Sequence, residues 1–301
     1  TFPHAHRGRP PQQAYYENLR RTPFVDQLVL AAALEILKAH DLGADPSPDL
    51  FSVSFSGADT IGHTYGPFSQ EAMDSYLRAD RVLEKLLQAA GARAGAGLLV
   101  ILTSDHGVLP LVEWLQKQGI PGRRSTAKRL DEAVQSALRK RYPAAGNLIA
   151  LYDSPNFTLD LEAIRKKGLD RAEVERTAIH ALLETGVIET VYTHADLLSE
   201  KASPDPYISL FRNSFFPTRS PHLMALPKKY HYIDDFVGGT GHGTPYEYDR
   251  HVPIVWMGSG IQPGRHSAPA GPEDIAPTLA TMLGIAYPIE PDARLLIEVL
   301  K

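Results

Sequence analysis

Two oily runs, "DLFSVSF" at residues 49–55 and "LLVILT" at residues 98–103, are each followed at once by a segment that carries Asp and His, "SGADTIGH" and "SDHG". A long stretch with apolar residues at helical spacing lies between them, and this order is the feature that most constrains the fold. A short aliphatic run bounded by glycines predicts a strand buried on both faces, as in the middle of a parallel sheet. Strand, loop, helix, strand, loop is the rhythm of an α/β sheet, where ligands collect at the carboxyl ends of the strands. Both Asp-His segments are predicted to be loops at those ends.

Before the first run, Thr22-Pro23 reads as a helix start, a capping hydroxyl followed by Pro at the first helical position. Val25, Leu28, Val29, Ala32 and Ile36 then form an apolar stripe. Ser69 can cap the helix that joins the two runs, with Met73, Tyr76, Leu77, Leu83 and Leu87 on one apolar face. From about residue 146 to 229 the texture changes. "NLIALYD", "NFTLDL", "VIETVYT" and "YISLFRN" read as short strands, and "DRAEVERTAIHALLET" as an amphipathic helix begun by Asp170. "HVPIVWMG" and "EDIAPTLATMLGI" then return to a core strand and a helix with Pro277 in its first turns. The expected architecture is a three-layer α/β core, residues 1–145 and 230–301, interrupted by a small α+β insert at 146–229.

The chain has no Cys, which excludes disulfides, thiolate-ligated zinc and thiol catalysis. Its formal net charge is -4, with Lys and Arg scattered, so binding driven by nucleic-acid phosphates is not expected. The densest basic stretch, Arg123 to Arg129, reads as a solvated loop and helix face. "LVLAAALEILKAH" is too short to cross a bilayer. The opening "TFPHAHRGRPPQQAYY" has no initiator Met, no basic-then-apolar signal and no strand before its first helix, and predicts a chain that begins within a longer protein.

Three segments place His beside Asp or Gly: "GADTIGH", "TSDHG" and "GGTGHGTPYEYD". Carboxylate and imidazole donors without thiolate suit zinc at a catalytic site, and other divalent metals fit the same donors. Singly, each segment could be an Asx turn or a flexible loop; their shared position near strand ends favours a metal site. Gly57, Gly62, Gly107, Gly241 and Gly243 would permit positive φ or close backbone approach to an ion. His4 and His6 read as tail residues and His180 as a helix residue. His194, His222, His231 and His251 lack supporting loop chemistry, and Arg212 and Arg219 read as solvated.

"SFSGADTIGHTYGP", "YLRADRVLEKLL", "LLVILTSDHG" and "GHGTPYEYDRHVPIVWMG", in that order and separation, resemble the alkaline phosphatase superfamily. Within it they are similar to the branch that holds PafA-type bacterial alkaline phosphatases and type I phosphodiesterase/nucleotide pyrophosphatases. The resemblance implies that Asp59, His63 and His242 hold one zinc, while Asp105 and His106 supply two ligands of a second. It implies Tyr248 and Asp249 as residues behind the ligands. A zinc pair of this kind clamps an in-line displacement at phosphorus.

The family also needs a further Asp on the second metal and a Thr or Ser nucleophile, from strand ends ahead of the first quoted block. No such segment is visible here. Thr60, Thr64, Thr103 and Ser104 are better read as hydroxyls that satisfy loop backbone. No catalytic nucleophile is therefore assigned within the chain. It reads as the carboxyl-terminal part of a two-zinc hydrolase of phosphate monoesters, with one metal site complete, little activity alone, and the amino-terminal part as its partner. A nucleotide phosphodiesterase is the second reading, and a non-catalytic metal-binding or interaction module the third. Sulfatases share the scaffold but need a formylglycine made from Cys or Ser. By resemblance alone, the full-length protein is expected to be periplasmic or secreted.

Overall fold

The computed structural model describes residues 4, 8–236, 238–287 and 293–301; His6 lies outside them. The chain divides into two compact units, residues 1–107 with 251–301, and residues 108–250.

The first unit opens with helices α1 (Gln13–Arg20), α2 (Phe24–Ala39), α3 (Gly57–Tyr65) and α4 (Gln70–Ala94), followed by strand β1 (Leu99–Thr103). Ser69 caps α4 by accepting the Ala72 N–H at 3.0 Å. Thr22 does not cap α2, because its hydroxyl donates to the Leu19 carbonyl instead. Both apolar stripes expected from the sequence are out of phase. In α2 the buried residues are Asp26, Leu30, Ala33 and Leu37, and in α4 they are Ala72, Ser75, Val82 and Leu86. Leu28, Ile36, Met73, Tyr76 and Leu77 are exposed. These helices carry apolar residues on more than one face, so periodicity alone does not select the inner one.

The run 50–55 is extended with alternating burial, yet it forms no strand. Phe51, Val53 and Phe55 pack against the cluster of Leu30, Ala33, Leu37, Val82 and Leu86. Among the described residues no ladder forms beside this segment, and a strand is defined by its partner.

The second unit contains, in order, α5 (Val112–Lys117), β2 (Arg123–Ser125), α6 (Ala127–Arg141), β3 (Ile149–Asp153), β4 (Asn156–Leu159), α7 (Leu161–Lys166) and α8 (Arg171–Glu184). It continues with β5 (Ile188–Thr193), α9 (His194–Leu198), α10 (Ile208–Asn213), β6 (Leu223–Pro227), β7 (His231–Ile233) and α11 (Glu247–Arg250). An antiparallel sheet of order β3-β4-β6-β5 carries one face of the core, and β2 and β7 form a separate parallel pair. Leu130, Val134 and Leu138 of α6 and Val174, Ala178 and Leu182 of α8 close over Phe157, Leu159, Ile188 and Leu223. The apolar face of α6 belongs to this core, so residues 127–141 pack with the strands that follow them. Asp170 starts α8 by accepting the Glu173 N–H at 2.8 Å. "YISLFRN", expected to be a strand, is the short helix α10, whose Phe211 ring packs on Tyr192 at 4.5 Å.

The chain returns to the first unit with β8 (Ile254–Gly258) and α12 (Ile275–Leu283), Pro277 lying buried near the start of α12. β8 pairs antiparallel with β1, from Leu99 against Gly258 to Thr103 against Ile254. The expectation of a central parallel strand at 98–103 is thereby corrected. β1 is half-buried along Leu99, Val100 and Ile101 and exposed at Leu102 and Thr103, so among the described residues its aliphatic run is not enclosed on both faces. No helix of the described residues is long and apolar enough to cross a membrane.

Candidate metal centre

The first Asp-His segment is a helix, not the expected loop. Residues 57–65 form α3, which ends where Gly66 takes φ +86° and returns its N–H to the Gly62 carbonyl at 2.8 Å. Helical winding turns the four-residue spacing into geometry, since residues i and i+4 share a face. His63 Nε2 lies 3.3 Å from Asp59 Oδ1.

Asp105 and His106 follow β1 in a loop, as expected. His106 Nδ1 lies 2.8 Å from the Gly107 carbonyl. A carbonyl only accepts, so in this contact Nδ1 is the donor, which leaves Nε2 as the ring atom that faces the carboxylates. That Nε2 lies 3.9 Å from Asp59 Oδ1 and 3.5 Å from Asp105 Oδ2. Ser104 steadies the loop by donating to the His106 carbonyl at 2.8 Å. The first unit therefore brings Asp59, His63, Asp105 and His106 together, with Asp59 Oδ1 facing two imidazoles. The Asp59, His63 and His106 side chains are between 24% and 39% exposed, so small solutes reach them; Asp105, at 85%, points outward.

This donor set fits a divalent metal. Two donors at about 2.0–2.2 Å from one tetrahedral ion stand roughly 3.3–3.6 Å apart, and the Asp59 and His63 atoms are at 3.3 Å. Oxygen and imidazole donors that solvent can reach match a site with an open coordination position.

His242 belongs to the second unit, in an exposed position between two anchors. Ahead of it, Thr240 is buried and donates its hydroxyl to the Leu109 carbonyl at 2.7 Å, while the Leu109 N–H bonds the Gly241 carbonyl at 3.0 Å. Gly241 lies so close to Tyr232 that a Cβ there would fall 2.9 Å from the ring. Behind it, buried Asp249 accepts the Thr244 N–H at 2.8 Å and the Thr244 hydroxyl at 2.6 Å, closing the turn in which Gly243 takes φ +103°. Tyr248 stacks on Tyr230 at 5.6 Å, and burial pushes its phenol up to about 12.

The loop has a further brace that the sequence reading missed. Arg124 donates to the Gly238 and Gly239 carbonyls at 3.2 and 2.6 Å and forms a two-pronged pair with Glu113 at 2.5 and 2.8 Å. Its hydrogen bond holds the Glu113 carboxyl below the usual carboxylate range. The basic stretch is thus not merely solvated at this position. The hydroxyls considered above are engaged with backbone: Thr60 with the Ser56 carbonyl, Thr64 with the Thr60 carbonyl and Thr103 with the Ser104 carbonyl. Of the five glycines singled out, Gly243 adopts a left-handed backbone, while Gly57 and Gly241 are small because protein atoms crowd them.

The type I phosphodiesterase / nucleotide pyrophosphatase family matches residues 2–244. This chain belongs to that family. Proteins similar to it include alkaline phosphatase PafA of Elizabethkingia meningoseptica, 29% identical over 272 residues that make up 90% of this chain and 49% of the relative. Alkaline phosphatase PhoV of Synechococcus elongatus is 27% identical over 95% of this chain and 51% of its own length. The crystal structure of wild-type PafA superimposes with a TM-score of 0.88 at 26% identity, covering 95% of this chain and 54% of that one. The fold is therefore α/β of the alkaline-phosphatase type, PafA branch. The chain spans about half the length of these relatives.

Proposed function

We propose that the protein to which these residues belong hydrolyses phosphate monoesters at a two-zinc centre, with Asp59, His63 and His242 on one ion and Asp105 and His106 on the other. The observation that carries this reading is the convergence of the His63 and His106 Nε2 atoms on Asp59 Oδ1, in a chain similar to alkaline phosphatases over nearly its whole length. Chain connectivity supports the inclusion of His242: two residues separate His106 from Leu109, whose N–H is tied to the residue before His242.

Bound zinc would neutralise charge at phosphorus and lower the pKa of an attacking oxygen. The residues of this chain hold and orient. Gly107 orients the His106 ring, and the Leu109, Thr240 and Asp249 contacts set the loop that presents His242. The nucleophile and the remaining ligand come from outside these residues. The engagement of the Thr60, Thr64 and Ser104 hydroxyls with carbonyls supports this, as does the half-length match. The outward apolar residues of α2 and α4 are the surface on which the rest of such a protein would pack. The whole protein is exported, and these residues alone turn over phosphate esters poorly. The family description favours one second reading, a nucleotide pyrophosphatase or phosphodiesterase.

The test is zinc content by mass spectrometry together with hydrolysis of p-nitrophenyl phosphate and its bis ester, for the whole protein and its His63→Ala variant. The expected result is two zinc ions, a monoester preference of at least about 100-fold, and loss of most zinc and activity in the variant. Diester preference selects the second reading. Full zinc and activity in His63→Ala overturn the site.

A further inference from the structure

Asp26 is a buried carboxylate that the chemistry proposed above does not use. It sits in the first turn of α2, is 2% exposed, and continues the buried stripe of Leu30, Ala33 and Leu37. Its Oδ1 accepts the N–H of Gly57 at 3.0 Å. Gly57 is the first residue of α3, and a Cβ there would fall 2.5 Å from Asp26 Oδ2 and 2.8 Å from its Cγ. The residue that would ordinarily cap this helix, Ser56, makes no side-chain cap. A helix start leaves N–H groups unsatisfied and carries the positive end of the helix dipole. The Asp26 carboxylate meets both needs from a different helix, 31 residues back.

We propose that Asp26 is a positioning residue for the metal centre: its carboxylate seats the first turn of α3 and so sets where Asp59 and His63 stand. This rests on the metal reading above. Three observations fit together. The bond is to the backbone of α3 two residues before Asp59, so a shift of that turn moves the ligand. The contact has no slack, because Gly57 is packed against the carboxylate. And α3 is short, nine residues, so a displaced first turn is not averaged out before His63. Burial raises the Asp26 carboxyl above its ordinary range, with the Gly57 bond opposing, as expected of a group kept in place for its oxygen atoms rather than for solvation.

The experiment compares the wild-type chain with Asp26→Ala, Asp26→Asn and Leu30→Ala, a control that loosens the same face of α2 without touching α3. Zinc binding is followed by calorimetry, and backbone amide exchange of α3 and α4 by NMR without metal. In Asp26→Ala, amide protection is expected to fall at least about 10-fold along 58–64 but not along α4, with zinc affinity down roughly 10–100-fold, the range seen when residues behind a metal ligand are removed. Asp26→Asn keeps an acceptor oxygen and is expected to stay within about 3-fold of wild type on both readouts. Leu30→Ala lowers the melting temperature but leaves zinc affinity unchanged. Unaltered α3 protection in Asp26→Ala, or an equal loss of zinc affinity in Leu30→Ala, overturns the proposal. If the wild type itself takes no zinc, the metal reading of this chain fails, and the exchange data alone decide whether Asp26 seats α3.

Discussion

The two units use their apolar residues differently. In the second, four strands and two helices enclose Leu130, Phe157, Val174, Leu182 and Leu223 with almost no exposure. In the first, the cluster between α2 and α4 is small, the sheet has two strands among the described residues, and Leu28, Met73, Leu77, Val255 and Met257 face outward. Large apolar side chains on the surface are ordinary singly, but here several lie on neighbouring turns of two helices, which is the surface the proposed function would have covered. Four of the five candidate ligands stand in this less consolidated unit. Their placement depends on a few specific contacts, such as Asp26 to Gly57 and His106 to Gly107, rather than on a large core. On the proposed metal reading, metal binding and local folding would be coupled, because ligand geometry and fold would stabilise each other.

The contrast can be broken or sharpened by substitution. Phe157→Ala, at a fully buried position, should cost about 3–5 kcal/mol. Chemical denaturation followed by near-UV signals should show the second unit unfolding first in that variant, with zinc uptake by Asp59 and His63 changed less than 3-fold. A concerted loss of both units would dissolve the distinction between them. Arg124→Met removes the charged donor from Glu113 and two carbonyls and should cost roughly 2 kcal/mol. Amide exchange should show the loss at residues 238–241 first; uniform loss would make Arg124 a general brace rather than a loop holder.

A smaller effect is expected from pH. The His222 Nδ1 accepts the Leu159 N–H at 2.9 Å, which requires an unprotonated ring nitrogen. Burial first, with His194 and Arg171 adding, pushes the group down to about 4 from its ordinary 6.5. A folded pKa below the unfolded one means that the unfolded chain binds the extra proton. The His222 contribution is complete above about pH 6.5 and is lost as pH falls from there through 4. The melting temperature of the wild type should drop faster over that interval than that of His222→Leu; equal slopes would remove His222 from the account. The smallest change is expected on the outer face of the first unit, where Leu77→Gln should alter stability by no more than about 0.5 kcal/mol in a thermal melt. A loss above about 1 kcal/mol would show that this face is already packed.

The candidate ligands were named in the sequence through the family resemblance, but the geometry of the first two was not legible there. "GADTIGH" reads equally as loop or helix, and only as α3 do Asp59 and His63 share a face. Asp26 carried a faint signal: it occupies the position, four before Leu30, at which an apolar residue would complete the buried stripe of α2. Arg124 carried none, since an Arg in a basic stretch is usually solvated, and its partners lie 11 to 115 residues away.

By itself the sequence determined what depends on neighbours along the chain: the helix at 171–184 with its Asp170 cap, the Ser69 start of α4, the strands at 149–153, 156–159 and 188–193, and the order of the Asp and His residues. Caps and side-chain periods act over three or four residues, so local sequence suffices for them. Only the tertiary structure decided the buried faces of α2 and α4, the antiparallel partner of β1, the helical form of 208–213, and the seating of α3 on Asp26. Each of those is a choice among locally equivalent states, and it is made by atoms far away in the chain, because burial and hydrogen bonding are satisfied by whatever arrives in space rather than by what adjoins in sequence.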